Sequence, residues 1–189
     1  MDQEGLHRQQ ALYWAKMVEL RVAANYIRGY RNYLGRWTTG IGTVRAVASS
    51  LSIGGWAIWH QYAFVWAAVI ASAQVLDAIR EVFPVTRRKK AAGELAIVLE
   101  GLFIDAQLEW ENVFAGKYTD EQISKRLHTL RTQHHMAEGR LFHEGLSVRD
   151  WILRKSELDA ELFFQSTYGV SSLQRGGNDA RDTPKARLD

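Results

Sequence analysis

Between Trp37 and Leu76 the chain reads WTTGIGTVRAVASSLSIGGWAIWHQYAFVWAAVIASAQVL, and Arg45 is the single charged residue in it. Charged residues make up 24% of the sequence, so an average stretch of this length would hold about ten of them. The run is about twice as long as a helix needs to cross a bilayer. His60 and Gln61 divide it near its middle, with Trp56, Trp59, Tyr62 and Trp66 around them, where aromatic rings gain from apolar and polar contact at a membrane surface. The stretch therefore predicts two transmembrane helices joined by a tight turn.

The flanks agree. Arg21, Arg28, Arg31 and Arg36 precede the first segment and Arg80, Arg87, Arg88, Lys89 and Lys90 follow the second, whereas the turn carries no Lys or Arg. Positive charge is retained on the cytoplasmic side of a membrane, so both termini are expected there. Met1 to Gln10 is polar and mixed in charge, unlike a secretory leader, and the hairpin is expected to insert as itself. Against this stand Gly40, Gly42, Gly54, Gly55, Ser49, Ser50, Ser52 and Arg45, which weaken the hydropathy of the first span. The competing expectation is a soluble, self-assembling helical adaptor or structural protein with this hairpin buried at its centre.

Small residues recur at every fourth position, as Gly42, Ala46, Ser50 and Gly54 in the first span and Ala63, Ala67 and Ala71 in the second. Such a stripe lets helix backbones approach closely in lipid, where no hydrophobic drive brings helices together. At 100° per residue, Thr38, Arg45, Ser49 and Ser52 fall on a neighbouring face. Arg45 lies 15 residues before His60 and Asp77 lies 17 after it, so a hairpin brings them to similar depth, about 10 Å from the inner boundary by helical rise. Arg45, Ser49, Ser52 and Asp77 are the candidate pore-lining residues, because charged groups in a span face a bundle interior or a hydrated path. A homo-oligomer in contact with lipid is implied.

Outside the hairpin the pattern is helical throughout, and the expected fold class is all-α: a two-transmembrane hairpin with a cytoplasmic helical bundle or antiparallel coiled coil. Residues 1–36 read as a cytoplasmic amphipathic helix, with Leu12, Met17, Leu20, Ala24, Ile27 and Leu34 turned to the bundle. Residues 37–83 form the hairpin, closed by Pro84. Residues 84–168 form the cytoplasmic helical region. Leu95, Leu99, Leu102, Ala106, Trp110 and Val113 mark one apolar face there, and Ile123, Leu127, Leu130, His134, Ala137 and Leu141 mark a second in strict four-three alternation. Glu94, Glu100, Asp105, Glu109 and Glu111 read as the wet side of the first of these helices. Gly116 separates the two, and Thr119 with Gln122 has the form of a capping box. These helices are expected to pair antiparallel. A last helix is expected from about Val148 to Tyr168, capped by Ser147 with Asp150 and apolar at Trp151, Leu158, Leu162 and Phe163. Residues 169–189, poor in hydrophobic side chains, read as a disordered tail.

Chemistry has little to stand on. The sequence contains no cysteine, which removes thiolate zinc sites and sulfur nucleophiles. His128, His134, His135 and His143 gather near Glu138 and Glu144, but neither zincin spacing nor a pair of Glu-x-x-His units is present in that region, so no metal is expected. A Gly-x-Ser-x-Gly elbow and a phosphate-binding Gly-rich loop are also missing. No catalytic residue and no cofactor are expected, and a nuclease built on the His-rich helix is the weaker class. The net charge of +3 gives no general case for nucleic-acid binding.

The lead-in AANYIRGYRNYLGRW (Ala23 to Trp37), the hairpin with its minimal turn, and the long helices separated by KYTDEQ together resemble the bacterial SLATT proteins, two-transmembrane effectors associated with nucleotide-signalling conflict systems. The likeness spans Leu12 to Phe142. The more polar first span and the additional helix after Ser147 depart from the simplest form of that pattern. The resemblance implies an effector that oligomerises in the bacterial inner membrane and opens a pore or disrupts the bilayer in anti-phage defence. It also implies a companion sensor or nucleotide-signalling protein as partner.

Overall fold

In the computed structural model the described residues are 3–58, 64, 68, 71–72, 74–75, 85–143 and 145–169; within the first helix, side chains are described for residues 7–43 and 46. Among them are four helices and no strand: α1 (Gln3–Ile58), α2 (Val85–Phe114), α3 (Asp120–Leu141) and α4 (Asp150–Tyr168). The all-α expectation holds at that level. Helix α1 carries straight through Trp37, because no proline precedes Pro84 and isolated glycines each cost a helix only about 1 kcal/mol. The expected second span lies largely outside the described residues, as does the tail beyond Gly169.

The chain divides into two compact units, one made of residues 1–27 with 95–189 and the other of residues 28–94. In the first unit, Tyr13, Met17, Leu20, Ala24 and Ile27 of α1 are buried at four-three spacing. Around them close the α2 face of Leu95, Leu99, Leu102, Ala106, Trp110 and Val113 and the α3 face of Ile123, Leu127, Leu130, His134 and Ala137. Both of those faces are the ones read from the sequence, except that Leu141 at the end of α3 is only half-buried. Leu12 is a correction: it is exposed, and Tyr13 and Trp14 beside it are the buried residues. Packing is antiparallel. Gln10 Nε2 donates to the Val113 carbonyl at 2.8 Å, and further along α1 the Arg21 guanidinium meets Glu100 at 3.1 Å. Across the α2–α3 turn, Arg126 pairs with Glu109 at 2.8 Å and lies over the Tyr118 ring. Glu100 and Glu109, expected on a simple wet face, are half-buried ion-pair partners instead.

The turn itself follows from local chemistry. Gly116 adopts φ +68°, and the Lys117 and Gly116 N–H groups donate to the carbonyls of Asn112 and Val113, which is the double bond of a Schellman stop. Three residues on, the Gln122 N–H donates to Thr119 Oγ1 and the Thr119 N–H donates to Gln122 Oε1. Thr119→Ala is expected to remove about 1 kcal/mol of stability, measurable as a lowered urea midpoint with an unchanged slope.

Helix α4 corrects two expectations. It starts at Asp150, and its N-cap, Arg149, has no side-chain cap. The Ser147–Asp150 box does not form, because Tyr26 of α1 ties down this end of the helix instead. The Tyr26 hydroxyl donates to the Ser147 carbonyl at 3.2 Å and accepts the Arg149 N–H at 3.1 Å. The buried face is Ile152, Ser156, Ala160, Glu161 and Phe164, whereas Trp151, Leu158 and Leu162 are exposed. Ser156 and Ala160 are small enough for α1 to approach α4 closely, so that Asn25 Nδ2 reaches the Ser156 main-chain carbonyl at 3.5 Å. Phe164 then packs against Trp14 (5.1 Å between centroids), Phe163 (5.4 Å) and Tyr168 (5.9 Å).

In the second unit, Tyr30 and Leu34 of α1 and Ala92 of α2 are buried. Long cationic stems lie beside Gly35 and Gly93, at distances that would be ordinary contact for an added side chain. Lys89 Cε lies 3.7 Å from where a Cβ on Gly35 would be, and Arg31 Cδ lies 3.7 Å from the corresponding point on Gly93.

Candidate functional site

The uncharged segment and its basic border form the first candidate. Gly42, Ala46, Ser50 and Gly54 all lie on the continuous helix α1, as do Arg45, Ser49 and Ser52, so the two stripes keep the angular relation that helical spacing predicts. Asp77, Ala63 and Ala67 lie outside the described residues, and so does any Arg45–Asp77 pairing. Ala71 is helical and exposed. Ala46 is exposed, and a side chain added at Gly42 would meet nothing within 4 Å among the described residues.

No residue from Arg36 to Val75 with a described side chain is buried; Phe64 is 86% exposed, and Trp37 and Val75 are also exposed. Among the described residues, no helix is long and apolar enough to cross a membrane. Arg45 and the repeated Gly and Ser lower the hydropathy of the Trp37–Ile58 half of α1.

Around the position of Trp37, the residues Arg31, Arg36 and Lys89 line an open cleft of about 470 Å³ with Asn32, Gly35 and Thr39, and no carboxylate is among its described lining residues. Two helices thus present three cations to one hollow at the border of the uncharged stretch. Such a site suits phosphate oxygens, which accept from guanidinium and ammonium groups in short, charge-assisted bonds.

A polar cluster buried in the first unit is the second candidate. Lys16 is 6% exposed, and its ammonium donates to Glu19 Oε1 at 2.8 Å and to His134 Nδ1 at 2.9 Å. Accepting at Nδ1 fixes His134 as the neutral tautomer with its proton on Nε2, and that nitrogen lies 3.3 Å from Glu138 Oε1, off hydrogen-bond alignment. Burial, and then the Lys16 charge, hold the imidazole below its ordinary pKa, although Glu138 and Glu19 pull the other way. The cluster borders a cleft of about 480 Å³ lined by Val22, Tyr26, Leu153 and Glu157. Spacing alone places His134 in the apolar seam, and the seam reading passes over Lys16 and Glu19. The signal that could have found the cluster is Lys16 itself, a cation three residues after Tyr13 and four before Leu20, inside the α1 seam.

A histidine held neutral by the fold makes stability depend on pH in a definite direction. The unfolded chain binds the His134 proton near pH 6.5 and the folded chain only below that. This stabilisation is therefore complete above about pH 6.5 and declines as the pH falls from there toward the lowered folded value. The wild-type thermal midpoint is expected to fall more between about pH 8 and about pH 5 than that of His134→Gln, and equal falls would refute the assignment. His134 with Glu138 does not amount to a metal site, since among the described residues no group of three His, Asp or Glu side chains is placed to hold an ion. His143 is exposed, its Nδ1 3.2 Å from the Gly139 carbonyl of its own helix.

Comparison with known protein families, with curated proteins and with solved structures found no match.

Proposed function

We propose that this chain is an oligomeric effector of the bacterial inner membrane, with both termini cytoplasmic, that forms a pore or disrupts the bilayer and so stops the cell. The observation that carries this reading is the exposure of the described side chains of the uncharged segment, Trp37, Phe64 and Val75 among them. From Arg36 to Val75 none of the described side chains is buried, and Phe64 is almost fully open. An apolar surface of that kind calls for lipid or a neighbouring copy to cover it. Supporting it are the small-residue stripe of Gly42, Ala46, Ser50 and Gly54, which suits close helix pairing, and the three-cation cleft at the border, which suits the phosphates of the inner leaflet. Arg45, Ser49 and Ser52, with Asp77, are the residues assigned to a hydrated path between subunits. No chemical step is needed for killing by leakage, and no catalytic residue is assigned. The anti-phage setting and the companion sensor rest on the SLATT resemblance alone.

A soluble, self-assembling helical adaptor is the second reading, favoured by the finding that no helix among the described residues meets the length and apolarity of a membrane span. In that case neighbouring copies cover the segment. Induced cells distinguish the two. The effector is retained in the membrane pellet after alkaline carbonate and collapses the membrane potential; toxicity is lost with Arg45→Leu or Gly54→Leu and survives replacement of His134, His135 and His143 by Ala. Release by carbonate with the potential intact, or the reverse pattern of variants, refutes the pore.

A further inference from the structure

The cleft beside His134 is walled by three helices of the first unit and carries one sign of charge at its rim. It holds about 480 Å³ over a floor that includes Val22 and Ile27 of α1, Val148 of the α3–α4 connection and Leu153 of α4. Glu19 of α1, Glu138 of α3 and Glu157 of α4 each bring one carboxylate to it, and no Lys or Arg is among its described lining residues. All three acids are exposed.

The neighbouring cations do not cancel this charge. Lys16 offsets one carboxylate from inside the bundle, its ammonium held 2.8 Å from Glu19 and 2.9 Å from His134 Nδ1. Arg154 stands three residues before Glu157 but lines the separate hollow around Trp151, together with Arg149, Asp150 and Lys155. Arg131, two turns before Glu138 on α3, is exposed and does not line the cleft. Two negative charges therefore remain beside an apolar floor.

The wall of the cleft also holds an open hydrogen-bonding group. His134 is 7% exposed, and its Nε2–H, 3.3 Å from Glu138 Oε1 but off alignment, has no acceptor among the described residues. A buried donor without a partner is costly, and native structures hold few of them. Hollows of this volume that are mostly apolar, with a few convergent polar groups, are the usual form of small-molecule sites.

We infer that this cleft binds a small amphiphilic amine, with its ammonium among Glu19, Glu138 and Glu157 and its apolar body against Val22, Ile27 and Leu153. An ammonium supplies the charge that the rim lacks and donates charge-assisted bonds to carboxylates. The apolar body covers side chains that the three helices leave half-open. A neutral ligand of the same shape gains only the second of these. Because the acids stand on three different helices, an occupant ties α1, α3 and α4 together and stabilises the folded bundle by linkage. The cleft lies wholly within the first unit, so the inference stands apart from both the pore and the adaptor readings.

The probe is dansylcadaverine, a primary amine on an aromatic body, added to the full-length chain in a non-ionic detergent and followed by fluorescence anisotropy. N-pentyl dansylamide has the same body without the ammonium. Saturable binding of one dansylcadaverine per chain is expected, with the neutral probe about tenfold weaker, since two exposed carboxylates, each contributing the modest energy of a surface ion pair, together approach one power of ten. Glu138→Gln with Glu157→Gln is expected to weaken dansylcadaverine by the same factor, and Asp159→Asn, an exposed acid of α4 outside the cleft, to leave its affinity unchanged. Dansylcadaverine also raises the thermal midpoint of the wild type more than that of the double Gln variant. Circular dichroism checks that the variants keep their helix content, which substitutions at exposed positions preserve. Absence of saturable binding, equal affinity for the two probes, unchanged affinity in the double Gln variant or an equal loss with Asp159→Asn overturns the inference.

Discussion

Phe164→Ala lowers the unfolding free energy by about 3–5 kcal/mol, the range for truncating a fully buried phenylalanine. The ring has no exposed surface and stands where α1, α2 and α4 meet. Trp14 of α1 lies 5.1 Å away, Phe103 of α2 6.3 Å, and Phe163 and Tyr168 of its own helix 5.4 and 5.9 Å. Removing it takes away the burial of the ring and leaves a void lined by rigid aromatic groups, which collapse poorly into empty space. Chemical denaturation checks this against Thr167→Ala, an exposed change on the same helix expected to stay within about 0.5 kcal/mol. Equal costs would mean that α4 does not dock through this face.

Replacing Arg31, Arg36 and Lys89 together by Gln is expected to reduce the chain's preference for anionic over zwitterionic vesicles by about a hundredfold. A basic side chain near an anionic surface contributes about 1 kcal/mol, and three of them give about 3 kcal/mol, or two powers of ten in partition. These three converge on one cleft with no carboxylate among its described lining residues, so their charges add at one place. Competition between the two vesicle types, read by co-flotation, provides the measurement. High salt should weaken the wild-type preference in the same direction, since exposed charges are screened over about 10 Å at 0.1 M ionic strength. A triple variant with undiminished preference would reduce the cleft to a simple surface cluster.

Both predictions concern features that the sequence exposes unequally. The basic residues on either side of Trp37–Leu76 are visible to any reader of the chain. Their convergence is a matter of packing between helices: the Lys89 stem lies beside Gly35 and the Arg31 stem beside Gly93 of the opposite helix. Helix α4 shows the limit more sharply. It carries apolar residues on two faces, Ile152, Ala160 and Phe164 on one and Trp151, Leu158 and Leu162 on the other. Periodicity identifies both stripes and cannot rank them. The larger side chains point to the wrong one, because close approach to α1 is set by the small Ser156 and Ala160.

The sequence by itself determined the helical class, the buried faces of α2 and α3, the Gly116 stop and the Thr119–Gln122 cap. Each of these depends on residues within a turn or two of one another, where spacing and backbone chemistry suffice. Only the tertiary structure decided that Tyr26 caps α4, that Lys16 shares its charge with His134 118 residues away, and which side of α4 faces inward. Those outcomes depend on how closely distant helices approach, a distance set by the volumes of side chains that periodicity does not weigh.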